Sequence, residues 1–255
     1  MTIHLRERGV DAVVLDIEGT TTPIRFVYDV LFPYARQHLA AYVAGHAGDG
    51  ALDDVGRLLE HEWATDTSPG DDPPDWRSGP AEKLGRSIVA YATWLMDRDR
   101  KSTGLKLLQG RIWERGYADG VLRGAVFPDV PGALQRWRDS HVEIAIYSSG
   151  SVLAQKLLFG TTADGDLTRF ITAFFDTGVG AKGDPDSYRR IAARLGRRTA
   201  AILFVSDAPG EVAAAASAGM STLLCVRPGN APVPEPVSGP SGVVDRICSF
   251  DEIAA

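Results

Sequence analysis

The 255-residue chain is short of cysteine, of histidine in ligand spacing, of long apolar runs and of excess positive charge. Its two cysteines are Cys225 and Cys248. Cys225 lies in an apolar run and reads as core, so neither a disulfide framework nor a cysteine metal site is expected. The five histidines (His4, His38, His46, His61, His141) show no metal-ligand spacing. No stretch is apolar for long enough to span a bilayer. The opening Met-Thr-Ile-His-Leu-Arg-Glu-Arg is too charged for a signal peptide. A cytoplasmic protein with no membrane partner is expected. The net charge of −6 argues against a nucleic-acid partner. It leaves room for a locally positive site that holds a small phosphorylated molecule. Internal repeats, low-complexity tracts and a G-x-S-x-G nucleophile elbow are all missing.

What is present is an ordinary globular balance of 44% hydrophobic and 24% charged residues. The length suits one large domain or a core with an inserted second unit. Four apolar runs predict parallel strands: Ala12–Leu15, Val142–Tyr147, Ala200–Val205 and Thr222–Val226. Amphipathic helices are predicted between them, over Pro131–Asp139, Val152–Leu158, Ser187–Leu195 and Glu211–Ala218, the last ending at Gly219 as C′ residue. Strand alternating with helix predicts an α/β, doubly wound, mostly parallel sheet.

One gap breaks this rhythm. About 130 residues separate Asp16 from Ser148, where a βαβ crossover needs about 30. The excess reads helical. Phe26, Val30, Tyr34, Leu39 and Val43 approximate one face, with Pro33 as a kink or break. Further helices are predicted over 81–96 (Ile88, Tyr91, Leu95) and 104–117 (Leu105, Leu108, Ile112), with Thr65–Pro80 as a loop. Residues 23–124 are therefore expected to form an all-helical insertion, and residues 1–22 with 125–255 the core. An insertion directly after an acidic loop suits a lid that excludes water and touches substrate. Residues 227–242 read as a proline-rich surface loop.

The chemistry begins at Asp16-Ile-Glu18-Gly-Thr20-Thr-Thr, directly after the first strand. Ligands of open α/β sheets lie beyond the carboxyl ends of strands. Two acids held there need a compensating proton or cation, and a hard ion such as Mg²⁺ suits oxygen ligands. A carboxylate beside a metal can serve as nucleophile in phosphate chemistry. Ser148-Ser149-Gly-Ser151 follows the second strand and opens a helix, a place for phosphate or for a plain N-cap. Lys182 lies in the loop before Ser187, where it could balance phosphate charge. Asp207 closes the third strand and could complete a metal site with Asp16. Glu211 could support that site, but a first-turn helix charge is the better reading for it. Gly178, Gly180 and Gly183 also spell G-x-G-x-x-G, a rival dinucleotide loop with Asp207 near the ribose-binding distance. The strand before it is only Phe174–Phe175, and that reading leaves Asp16 and Glu18 unexplained.

Taken in order, Asp-x-Glu-Gly-Thr, strand-Ser, Lys and strand-Ser-Asp resemble the haloacid dehalogenase superfamily. Within it the chain resembles the enolase-phosphatases, or acireductone synthases, of methionine salvage. Leu15–Ile24, Leu108-Gln-Gly, Tyr147–Val152, Gln155–Gly160, Ser187-Tyr188 and Arg227-Pro-Gly-Asn230 carry that narrower likeness. The resemblance implies a Rossmann-like core with a helical cap, Mg²⁺ as cofactor and a monomer. It implies conversion of 2,3-diketo-5-methylthiopentyl-1-phosphate, by enolisation and dephosphorylation, to 1,2-dihydroxy-3-keto-5-methylthiopentene and phosphate. Asp16 would attack phosphorus, forming an aspartyl-phosphate. Asp16, Glu18 and Asp207 would organise the metal, Ser148 and Ser149 would bind substrate oxygens, and Lys182 would balance charge. The wider superfamily has Asp where Glu18 stands, so metal binding by side chain or backbone suits Glu18 better than proton transfer. The enolase-phosphatase branch shares this Glu. Candidate bases for enolisation are Glu62, Lys101 and Lys106, and spacing selects none of them. The alternatives are a phosphatase of the same fold acting on another small ester, a dinucleotide-binding protein and a catalytically silent interaction protein.

Overall fold

A computed structural model describes residues 2–66, 72–233, 238–239 and 242–255. The chain divides into two compact units: Met1–Val27 with Arg123–Ala255, and Tyr28–Leu122. Ten strands are formed among the described residues: β1 (Ile3–His4), β2 (Ala12–Leu15), β3 (Glu143–Tyr147), β4 (Ala173–Phe175), β5 (Ile202–Ser206), β6 (Ser221–Cys225), β7 (Ser238–Gly239), β8 (Gly242–Val243), β9 (Arg246–Ile247) and β10 (Ile253–Ala254).

Six of these strands form one parallel sheet in the order β4-β3-β2-β5-β6-β9. The four predicted runs are its inner strands, shifted by one or two residues at their ends. β2 is apolar throughout because both its faces are covered. Val13 and Leu15 join one core with Leu134, Trp137 and Phe159, while Ala12 and Val14 join another with Tyr188, Ile191 and Ala215. Register pairs Leu15 with Ile146 on one side and Val205 on the other. The three strands therefore end level. The chain proceeds outward from β2 to β3 and β4, then returns to the other side of β2 as β5. The crevice beyond β2 and β5 is thus the topological switch point, where ligands of such sheets bind.

The helices are α1 (Ile24–Phe26), α2 (Phe32–Gly45), α3 (Asp53–Thr65), α4 (Ala81–Asp97), α5 (Thr103–Ala118), α6 (Val130–Asp139), α7 (Val152–Gly160), α8 (Pro185–Arg194) and α9 (Pro209–Ser217). The C-terminus of α9 follows expectation. Gly219 takes φ +91°, and the amides of Gly219 and Met220 bond the carbonyls of Ala216 and Ala215. That pattern is a Schellman cap.

In the helical unit the expected buried face is shifted and one helix is added. Pro33 stands where the helical run is interrupted, as expected of a break. It sits in the first turn of α2, behind a π-helical turn over Val27–Leu31. Proline has no N–H to bond a carbonyl in the preceding turn, and the wider turn absorbs that loss. The buried stripe is then Val27, Leu31, Ala35, Leu39 and Val43, which leaves Val30 exposed. The helix α3 was not anticipated. Its inward face is only Val55, Gly56 and Leu59, too narrow a stripe to stand out from a charged segment. Residues 67–71 of the predicted Thr65–Pro80 loop, and 234–237 and 240–241 of the predicted 227–242 loop, lie outside the described residues. The latter loop is not all surface, since Arg227 at its start is buried. No helix among the described residues is long and apolar enough to cross a membrane.

Candidate active site

Asp16 is the first residue past β2, and its side chain is 4% exposed. It stays in register, since its amide bonds the Val205 carbonyl at 3.0 Å. Its Oδ1 accepts from Lys182 Nζ at 2.6 Å and from the Ile17 amide at 2.8 Å. Its Oδ2 lies 3.1 Å from Ser206 Oγ. Both carboxylate oxygens are therefore held at a fixed angle. Ser206 was not anticipated, although it ends β5 beside Asp207 and level with Asp16.

Behind Asp16 the chain makes one tight turn. The amides of Thr20, Thr21 and Thr22 all point to the Ile17 carbonyl, at 3.2, 3.0 and 2.9 Å. Thr21 Oγ1 donates to the Asp16 carbonyl at 3.0 Å. All three threonines are buried, so they build the turn and leave the opening to others. Gly19 takes φ +68°, and a Cβ there would lie 2.2 Å from Asp207 Oδ2. Only glycine lets Asp207 close on this turn. Glu18, just before it, is partly exposed.

Lys182 is delivered by a loop whose carbonyls are pinned one after another. Arg190 Nε bonds Val179 O at 2.6 Å, Tyr147 Oη bonds Gly180 O at 2.9 Å, Ser187 Oγ bonds Ala181 O at 2.8 Å and Tyr188 Oη bonds Lys182 O at 2.6 Å. The same loop holds Gly178, Gly180 and Gly183. Four successive carbonyls, Val179 to Lys182, are engaged and its lysine reaches Asp16, so the loop serves to deliver Lys182. Burial opposes charge on Lys182, but the carboxylates of Asp16 and Glu211 outweigh it and raise the ammonium pKa above the ordinary lysine value. The lysine is a fixed cation.

Glu211 requires a correction. It stands in the first turn of α9, but its carboxylate is turned into the site. Oε2 lies 2.6 Å from Lys182 Nζ and 2.9 Å from Ser206 Oγ. Burial and then Asp16 push its pKa up, against Lys182. The sequence signal was its place four residues after Asp207, one helical turn on.

Ser148 is buried at the end of β3 and Ser149 half-buried beside it. Ser148 Oγ accepts from the Gly150 amide at 3.1 Å, and Gln155 Nε2 braces the turn through Gly150 O and Phe175 O at 2.8 and 2.9 Å. Ser151 takes the N-cap role, accepting from the Ala154 amide. The capping duty thus falls on Ser151, not on Ser148 or Ser149.

Asp207 is a carboxyl under strain. Burial, then Asp16 and Glu211, push its pKa up to about 7, although Lys182 opposes them. A hard cation would relieve that strain. No group of three His, Cys, Asp or Glu side chains among the described residues is spaced to hold a metal ion. Mg²⁺ commonly makes do with one or two carboxylates, water and substrate phosphate, so an oxygen-only set built on Asp16 and Asp207 fits it.

Of the candidate bases, Glu62 is already occupied. Its Oε1 accepts from the Thr103 and Gly104 amides at 2.8 and 3.2 Å, and Ser102 Oγ bonds Oε2. It caps α5, so it is not a free proton acceptor.

Residues 10–219 match the haloacid dehalogenase-like hydrolase family. A protein named Enolase-phosphatase E1 from Synechococcus elongatus is 47% identical over 245 residues, covering 96% of this chain and 98% of that protein. One of the same name from Drosophila melanogaster is 43% identical, covering 88% and 86%. The crystal structure of the UTR4 protein of Saccharomyces cerevisiae superposes with a TM-score of 0.74 at 32% identity, covering 95% of this chain and 99% of that one. CbbY from Rhodobacter sphaeroides, in complex with phosphate, shares the fold with a TM-score of 0.56 at 16% identity.

Proposed function

Since the chain belongs to the haloacid dehalogenase-like hydrolases and, among them, to the enolase-phosphatases, we propose that its site runs that activity through Asp16 as phosphorus nucleophile. The protein is an enolase-phosphatase of methionine salvage. The substrate is read as 2,3-diketo-5-methylthiopentyl-1-phosphate and the products as 1,2-dihydroxy-3-keto-5-methylthiopentene and phosphate.

The observation that carries the mechanism is the fixed carboxylate of Asp16, with Lys182 on one oxygen and Ser206 beside the other. A phosphoryl group at the switch point meets Asp16 in line with the leaving alcohol. An Asp16 oxygen forms the new bond to phosphorus as the bond to the substrate C1 oxygen breaks, and that oxygen leaves as the alcohol with one proton, which the water of the second step returns. Water then attacks phosphorus, frees phosphate and returns the carboxylate. Lys182 offsets the charge that builds on the phosphoryl oxygens, in a pocket where water screens little. Ser148 and Ser149 orient those oxygens. Glu211 holds Lys182 as its second carboxylate. Asp16, Asp207 and Glu18, the last by side chain or backbone, would hold Mg²⁺, which when bound neutralises phosphate and polarises the diketone. We read residues 23–124 as the cap domain, inserted directly after the Asp16–Thr22 turn. The protein is read as a cytoplasmic monomer.

The test is an assay on the diketo phosphate that follows phosphate and the ultraviolet band of the enol together. Both should appear with Mg²⁺ and stop on chelation. Mg²⁺-dependent phosphate release from other esters only would overturn the substrate and keep the nucleophile.

A further inference from the structure

Two residues outside this chemistry reach the turn that bears it. Arg227 and Asn230 belong to the Arg-Pro-Gly-Asn segment that follows β6 and folds back on itself through an Asn230 amide to Arg227 carbonyl bond of 3.2 Å. Arg227 Nε donates to the Thr20 carbonyl at 3.2 Å, and Asn230 Nδ2 donates to the Gly19 carbonyl at 2.9 Å. Two successive carbonyls of the Asp16–Thr22 turn are thus held from one side.

The brace is anchored from behind. Arg227 is 5% exposed. Its Nη1 lies 2.8 Å from Asp129 Oδ2 and donates to the Cys248 carbonyl at 2.9 Å. Its guanidinium sits between the Phe127 and Phe250 rings, 4.6 and 4.8 Å from their centroids. Asp129 is itself fixed by the Phe250 amide at 2.6 Å. Burying an ion pair is a poor way to gain stability, since apolar residues of similar volume do as well or better. A buried guanidinium is, however, a rigid fork with several donors at set angles.

The turn needs such donors. Its three threonine amides converge on one carbonyl, so the carbonyls of Gly19 and Thr20 face outward and require partners. Asn230 also stands where position matters most. The same Gly19 Cβ position that lies 2.2 Å from Asp207 Oδ2 lies 2.9 Å from Asn230 Oδ1. The amide of Asn230 and the carboxyl of Asp207 both close on Gly19.

We propose that Arg227 and Asn230 are positioning residues which set the Asp16–Thr22 turn at its working distance from Asp207. The proposal rests on the reading of that turn as the phosphatase centre. Neither residue touches the reacting atoms; both act through the carbonyls of Gly19 and Thr20.

The test uses Asn230→Ala, Asn230→Leu and Asn230→Asp in the full-length protein, with Arg227→Lys beside them. Leu and Asp approximate the size of Asn but cannot donate to the Gly19 carbonyl. Steady-state kinetics on an aryl phosphate and on the diketo phosphate are read with amide hydrogen exchange over residues 19–22. All three Asn230 variants should lose about tenfold or more in kcat, with KM within about twofold, as expected for a misplaced nucleophile. Exchange at 19–22 should rise while that of β3 and β5 stays unchanged. Wild-type kcat and exchange in Asn230→Asp or Asn230→Leu would reduce Asn230 to a space-filling residue and overturn the brace. Should Arg227→Lys fail to fold, the Asn230 series decides. Should the wild-type protein turn over neither ester, the reading of the site fails, and the exchange data still decide the brace.

Discussion

Asp16 and Lys182 are 166 positions apart in the chain, and their charged atoms are 2.6 Å apart in the fold. The pair is buried, and Glu211 meets the same ammonium at an equal distance. A cation clamped between two carboxylates keeps its proton, and it fixes the carboxylate that is to react.

Replacing Lys182 by Ala should therefore cost the chemical step more than binding. We expect kcat to fall by about a hundredfold or more, the scale of one lost charge-stabilising donor. Steady-state kinetics check this, and near-normal kcat would return Lys182 to a structural ion pair. The raised pKa carries a sign as well. The stabilisation from Lys182's raised pKa is present below the ordinary lysine value and is lost as pH rises through the higher folded one, so melting curves at neutral pH should not reveal its titration.

Asp16→Asn removes the nucleophile and keeps the shape. Phosphate release should fall by at least about a thousandfold while circular dichroism and the melting transition persist. Appreciable turnover in the purified variant would exclude Asp16 as the attacking group.

For Glu211→Gln a smaller loss is expected, about tenfold in kcat. Lys182 would keep its bond to Asp16 but lose its second negative partner. If kcat were untouched, Glu211 would revert to the helix-charge role.

Asp207, pushed up to about 7 by burial and by its acidic neighbours, makes cation binding visible as proton release. Near pH 7 the metal-free protein holds part of a proton there, and Mg²⁺ should displace it. Calorimetric titration in buffers of different ionisation enthalpy measures the release, and Asp207→Asn should remove it. The stability sign follows: in the metal-free protein, Asp207 costs stability increasingly as pH rises from about 4 toward 7.

Asp129 behaves in the opposite way. Burial pushes its pKa up, but the Phe250 amide and the Arg227 guanidinium prevail and hold it below the usual carboxylate range. Its stabilisation is complete above the unfolded value of about 4 and is lost as pH falls through the folded one. Asp129→Asn should cost about 3 kcal/mol in urea unfolding at pH 7, the scale for stranding one member of a buried pair. The difference from wild type should shrink on acidification below pH 4.

Much of this architecture was legible from local pattern. Ala12–Leu15 and its three companion runs announced themselves because strands buried on both faces must be apolar throughout. Asp16, Ser148 and Asp207 stood out because each follows such a strand, and Lys182 because it lies in the loop before a helix. The helix α3 did not stand out, because a stripe of Val55, Gly56 and Leu59 is hard to tell from a polar segment. The face drawn through Val30 misled because a π turn, which no periodicity announces, resets the buried face one residue away.

The amino-acid order by itself determined the inner strands, the acidic turn after β2 and the family the chain belongs to, since these show in local pattern and in the order of short motifs. Only the tertiary structure decided who meets whom. Sheet register brought Ser206 to Asp16, the first turn of α9 aimed Glu211 at Lys182, and the return of Arg227 and Asn230 over β6 caught the carbonyls of Gly19 and Thr20. Each of these is a contact across the chain, set by strand order and by the pairing of buried polar groups, and none is written in the spacing of neighbouring residues.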